Sequence, residues 1–441
     1  MTQAETVTPH PATETGRLVP RGILVPFVLV TILFPLWGFA NDVTNPMVKA
    51  FSRILMMSNF QGSLVQFAFY GGYFAMAFPA ALFIKRYSYK AGILVGLALY
   101  ASGALLFIPS SLAAVFWPFL VAYFILTCGL SFLETAANPY ILAMGAEETA
   151  TRRLNLAQSF NPMGSLLGMF VAQQLILARL NPASAVERAA MGAEQLRAVT
   201  AQDLAVVRGP YVGIAFVIAI VFVSIALTRM PKYGEGSTSL DVGPTLRRLL
   251  ANRRYIEGVV AQFFYVGAQI MCWTFIIHYA TMELGLSEVA AQGYNIVAMV
   301  IFVTSRFICT FLLRYVSPGR LLMRLALAGA LLTLGTITIQ GMVGLYCLVG
   351  ISACMSLMFP TIYGIALRGL GEDAKLGAAG LIMAILGGSV MPPLQGAIID
   401  LGTVDLGAFS LAAVRASFVL PLICFAVVSL FGWRAAGVHE R

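Results

Sequence analysis

Charge is what this sequence has least of. Only 11% of its 441 residues are Asp, Glu, Lys or Arg, against about a quarter in an average soluble domain. A soluble chain with so few charges could not cover its surface, and 59% of the residues are apolar. That excludes a disordered protein, a DNA-binding protein and an ordinary cytosolic enzyme. Histidine is scarcer still. There are three, and His10 and His439 lie near the termini, which excludes a histidine-based metal centre. The six cysteines (Cys128, Cys272, Cys309, Cys347, Cys354 and Cys424) all fall inside apolar runs without metal-ligand spacing. They read as small buried hydrophobes, not disulfides or a zinc site. Residues 1–20 lack an apolar core, so they read as a short cytoplasmic tail rather than a cleaved leader.

What is present is a series of long apolar runs. About 20 such residues cross a bilayer as a helix. Twelve runs qualify: 23–48, 61–84, 91–109, 114–143, 154–178, 210–228, 255–280, 289–313, 321–340, 343–367, 376–399 and 411–432. Two longer polar stretches separate them, 181–209 and 229–254. The second holds Pro231, Gly234, Gly236, Ser237 and Ser239 and reads as a linker between two six-span halves. The expected organisation is a tail at 1–21, a half at 22–229, a cytoplasmic linker at 230–253, a second half at 254–433 and a tail at 434–441.

Lys and Arg set the orientation. With the N-terminus cytoplasmic, 20 of the 28 basic residues fall on the inner side, six outside and two, Arg306 and Arg415, within spans. Both termini are therefore expected inside. The net charge of +9 is a topology signal whose partner is anionic lipid, not nucleic acid. The halves also echo one another. Asn138-Pro139 followed by Gly145-Ala146-Glu147-Glu148 matches Phe359-Pro360 followed by Gly371-Glu372-Asp373. The predicted fold is an all-α membrane protein of twelve transmembrane helices in two pseudo-symmetric halves, the major facilitator plan.

Two acids lie well inside spans, Glu134 in the fourth and Asp42 in the first. A carboxylate there costs several kcal/mol unless paired, hydrated or protonated. Such a group can take up and release a proton near neutral pH, as a proton-coupled carrier requires. The alternative is a carboxylate locked in a helix contact. Around Glu134, the residues Thr127, Ser131 and Asn138 complete one polar stripe at helical spacing. Gln158, Asn161 and Ser165 form another on the fifth span, Asn41 and Asn45 flank Asp42 on the first, and Gln66, Tyr70 and Tyr73 share a face of the second. These faces either line a common cavity suited to a polyhydroxylated solute or make polar contacts between helices. In the second half Glu134 is matched by Met355. The seventh span carries Gln262, Tyr265, Gln269 and Trp273, amides and aromatic faces without a carboxylate. Aromatic rings pack on the C–H faces of sugars, although Trp273 also suits ordinary packing or an interface anchor. Arg306 either pairs with a carboxylate or carbonyls, or snorkels to an interface. His278 is expected to be hydrated.

Several motifs resemble the fucose:H⁺ symporter family over about residues 22–430. They are Trp37-Gly38-Phe39-Ala40-Asn41-Asp42, Tyr87-Ser88-Tyr89-Lys90-Ala91-Gly92, Leu133-Glu134-Thr135-Ala136-Ala137-Asn138-Pro139, Asn155-Leu156-Ala157-Gln158-Ser159-Phe160-Asn161 and Tyr265-Val266-Gly267-Ala268-Gln269. The resemblance implies a bacterial inner-membrane carrier that imports a hexose with a proton by alternating access. L-fucose is the first candidate, ahead of glucose, galactose or N-acetylglucosamine, with uniport or Na⁺ coupling as the other modes. It implies Glu134 as the proton-coupling carboxylate, Gln158 and Asn161 as sugar-contacting amides, and Asn41 beside the site. The family's second acid falls at the position matching Asn45, whereas here Asp42 stands three residues earlier. With these, the expected sugar-binding set is Asn41, Asn45, Asn138, Gln158, Asn161, Tyr265, Gln269 and Trp273, with Glu134 and Asp42 for the proton. No cofactor or nucleic acid is expected, and the partners are sugar, proton and lipid around a monomer. An enzyme would need a nucleophile, metal or cofactor constellation that the short, His-poor loops do not offer. A drug exporter fits poorly with grouped amides, and a channel fits poorly with two repeated halves around one off-centre polar site.

Overall fold

The computed structural model describes residues 18–56, 59–183, 185–233, 242–405 and 410–436. Among the described residues, eleven helical segments are long and apolar enough to cross a membrane. The first half comprises α1 (Leu33–Ile54), α2 (Asn59–Arg86), α3 (Tyr89–Leu105), α4 (Phe116–Ala143), α5 (Ala150–Gln158), α6 (Asn161–Phe170) and α7 (Ala193–Leu227). After α8 (Val242–Ala251) the second half holds α9 (Arg253–Met282), α10 (Glu288–Leu312), α11 (Pro318–Thr338), α12 (Met342–Met355), α13 (Met358–Leu367), α14 (Ala374–Met383), α15 (Gly387–Ile399) and α16 (Val419–Ala436).

Three differences from the sequence reading have local causes. The apolar run 154–178 is not one regular helix. It divides at Ser159-Phe160, just before Pro162, and then winds through a π turn at Val171–Ile176. The polar stretch 181–209 is not all loop, because α7 begins at Ala193. Its polar start is held by a buried ion pair, Arg188 Nη2 to Asp203 Oδ2 at 2.6 Å. Within the linker, α8 is helical, while Gly234, Gly236, Ser237 and Ser239 lie outside the described residues. A short antiparallel hairpin, Thr403–Asp405 with Ser410–Ala412, precedes the last span.

Small residues set how closely the helices approach. On α6, a Cβ added at Gly164 would lie 1.9 Å from the Pro35 carbonyl oxygen, and one at Gly168 would lie 2.7 Å from that of Phe39. Backbone contact between α1 and α6 therefore requires glycine, and it brings Asp42 and Ser165 together. Arg153, fully buried, caps the C-terminal end of α4 by donating to the carbonyls of Ile141 (2.8 Å) and Leu142 (2.7 Å). A cation there suits the negative end of the helix.

The halves join at the end that carries the basic loops. Asn155 donates to Thr361 Oγ1 (3.1 Å), and Ser159 meets Thr310 (3.4 Å). Lys85 of α2 donates to Thr245 of α8 (2.9 Å), and Arg248 of α8 grips both carboxylate oxygens of Asp373 at 2.7 Å. The linker helix thus bridges the first half to the second.

Candidate functional site

The site is built from α4 outwards. Pro139 sits within α4 without breaking it, so Glu134 and Asn138 stay one turn apart on one face. Glu134 is 6% exposed and accepts a hydrogen bond from the Tyr73 hydroxyl of α2 at 2.9 Å. Asn138 is fully buried and donates to the Glu134 carbonyl at 3.0 Å. Its Oδ1 accepts from Gln158 Nε2 at 2.9 Å. Tyr73, Glu134, Asn138 and Gln158 therefore form one continuous polar chain across α2, α4 and α5. Neutral partners hold the carboxylate; among the described residues it has no ion pair. A group held this way accepts a proton without breaking a charge pair.

The rest of the expected set is distributed around this chain. Asn161, at the start of α6, donates to the Phe34 carbonyl at 3.1 Å. Asp42 is partly exposed and hydrogen-bonded by Ser165, with Tyr70 in electrostatic reach. It belongs to the α1–α6 seam, and its hydrogen-bond partner is not part of the Glu134 chain. Asn41 is exposed beside it. The side chains of Asn45 and Gln66 lie outside the described residues. Thr127 and Ser131 do not join the chain: their hydroxyls bond the carbonyls of Tyr123 (2.6 Å) and Tyr73 (3.1 Å). For these two, contact between and within helices prevails over cavity lining.

From the second half, Tyr265 is fully buried and donates to the Met355 carbonyl at 3.0 Å. Trp273 donates to Ser352 at 3.2 Å and meets Phe302 edge to face, with ring centroids 4.9 Å apart. Gln269 is partly exposed, whereas Gln262 is completely buried and so does not face open space. His278 is exposed. All six cysteines are free and five are buried. Arg306 does not snorkel. It is buried and donates to two backbone carbonyls, Ser356 at 2.5 Å and, across the halves, Gln158 at 2.9 Å.

One residue escaped the sequence reading. Tyr363 of α13 is fully buried within electrostatic reach of Glu134, and its hydroxyl has no hydrogen-bond partner among the described residues. Nothing in an apolar run marks one tyrosine as facing the other half.

The model of the Major Facilitator Superfamily matches residues 30–393. An L-fucose-proton symporter of Haemophilus influenzae is 53% identical, with 95% of this chain and 98% of that protein covered. The L-fucose-proton symporter of Escherichia coli is 36% identical over 93% of each. The crystal structure of the transporter FucP in the outward conformation matches with a TM-score of 0.85 at 36% identity, covering 94% of this chain and 99% of that one. By these matches the chain belongs to the Major Facilitator Superfamily and, within it, to the family of the fucose–proton symporters.

Proposed function

We propose that this chain imports L-fucose together with a proton across the bacterial inner membrane, as the named activity of its relatives suggests. The observation that carries the proton half is Glu134, a buried carboxylate held by a hydroxyl in a chain that ends on an amide, Gln158. Protonation from outside neutralises this site. Sugar then engages Gln158, Asn161 and Asn41, with Asn138 behind Gln158 and with Tyr265, Gln269 and Trp273 forming the wall from the other half. Asn45 lies on the same helix as Asn41 and is included in the set. The loaded, neutral cavity closes and reopens inside, where sugar leaves and Glu134 gives up its proton. Proton and sugar are coupled because both favour the same closing step. Asp42, bonded to Ser165, serves as an auxiliary acid at the α1–α6 seam.

In this reading α5 and α6 together make the fifth of twelve spans. Both termini are cytoplasmic, by the excess of basic residues on that side, and one chain is the working unit with lipid as its surroundings. The conformer faces outward, since the bonds between the halves gather at the basic, cytoplasmic end. No cofactor takes part.

Uptake of labelled L-fucose into vesicles containing the purified protein tests this reading. Accumulation is expected under an inward proton gradient and not under a Na⁺ gradient. Unlabelled L-fucose should compete better than glucose, galactose or N-acetylglucosamine. Equilibration without accumulation, Na⁺-driven accumulation, or stronger competition by another sugar would each refute the part concerned.

A further inference from the structure

Two prolines leave matching defects in the two halves. Proline has no N–H, so in a helix the carbonyl four residues earlier loses its partner. Pro162 does this to Gln158, and Pro360 does it to Ser356. Both carbonyls stand at helix breaks. Helix α5 ends at Gln158, and Ser356 directly follows the end of α12. One guanidinium reaches both. Arg306 Nη1 donates to the Gln158 carbonyl at 2.9 Å, and Nε donates to that of Ser356 at 2.5 Å. The guanidinium carbon lies 4.6 Å from the Phe302 ring centroid. Among the described residues Arg306 has no carboxylate partner. The negative ends of two broken helices take that place.

We infer that Arg306 is a positioning residue of the transport cycle: a latch that ties proline-freed carbonyls of opposite halves and holds the cytoplasmic side shut. The inference rests on the alternating-access reading above. Its bond to Gln158 crosses from α10 to α5, so separating the halves at this end breaks it. Below it, the seam continues through Ser159 with Thr310 and Asn155 with Thr361. The Gln158 side chain bonds Asn138, which bonds the Glu134 carbonyl. Sugar at Gln158 and a proton at Glu134 therefore act within reach of the latch. A carboxylate partner within one half would hold Arg306 in every state. Carbonyls shared between halves hold it fully in only one.

The test measures opening without sugar. Spin labels go at Tyr87→Cys and Tyr315→Cys, both exposed, one on a cytoplasmic loop of each half, with the partly exposed Cys347 replaced by Ala. Arg306→Gln is expected to raise the long-distance population about fivefold, the worth of one net hydrogen bond. Arg306→Lys keeps the charge but loses the fork, and should fall between. Pro162→Ala leaves Arg306 in place and returns an N–H to the helix, so the Gln158 carbonyl can bond at home. It should shift the population in the same direction by less. If Arg306→Gln yields no folded protein, Pro162→Ala decides. An unchanged distance distribution in folded Pro162→Ala, or in folded Arg306→Gln, overturns the latch. Because no sugar is present, a wrong assignment of the substrate leaves this result unaffected.

Discussion

At matching places in the two halves stand Glu134 and Met355. The first lies in an unbroken helix and is bonded by Tyr73. The second closes a helix that breaks before Pro360, and offers only its backbone carbonyl, to Tyr265. Around Glu134 are Asn138 and Gln158; around Met355 are Trp273, Phe302 and Arg306. Matching places in the two halves thus carry different chemistry. One half carries a buried carboxyl, a group able to change charge. The other carries aromatic wall and a fixed cation, since an arginine is not deprotonated in proteins.

The strongest way to break this comparison is to move the acid. Glu134→Gln should abolish proton-driven accumulation, and adding Met355→Glu should not restore it, because that side of the site lacks the Tyr73 hydroxyl; uptake into vesicles checks both. Next comes Gln158→Ala, expected to raise the half-saturating sugar concentration about tenfold through a lost sugar contact and an unpaired Asn138, as measured by initial uptake rates. A packing contrast follows. Gly164→Ala in α6 forces a Cβ against the Pro35 carbonyl, whereas Gly396 in α15 has open space around it. Gly164→Ala should destabilise by about 1–3 kcal/mol, the usual range for overpacking, and Gly396→Ala should leave the melting temperature nearly unchanged. The smallest effect is expected from Trp273→Phe, which keeps an aromatic face and loses only the Ser352 bond. Its half-saturating sugar concentration should rise about twofold to threefold, within the reach of one weak hydrogen bond.

Much of this was legible in the residues, and the reasons are physical. Spans announce themselves because a bilayer demands some 20 apolar residues in a row. Glu134 stands out because a buried acid is rare. Tyr73 was visible only as part of a face, since its hydroxyl acts through an aim that spacing alone does not fix. Thr127 and Ser131 misled because a helical Ser or Thr is able to turn its hydroxyl onto a nearby carbonyl. The break in the fifth span is written in Pro162, but hydropathy reads straight through it. The partners of Arg306 were illegible because backbone carbonyls have no residue signature. The early start of α7 was hidden because a polar stretch reads as loop until Arg188 and Asp203 are seen to pair.

The most direct test of the central claim is the pH outside vesicles containing the protein when L-fucose is added. The wild-type chain should make the medium more alkaline as protons follow sugar inward. Glu134→Gln should produce no pH change while still exchanging labelled for unlabelled L-fucose. Alkalinisation by Glu134→Gln equal to the wild type would contradict the account.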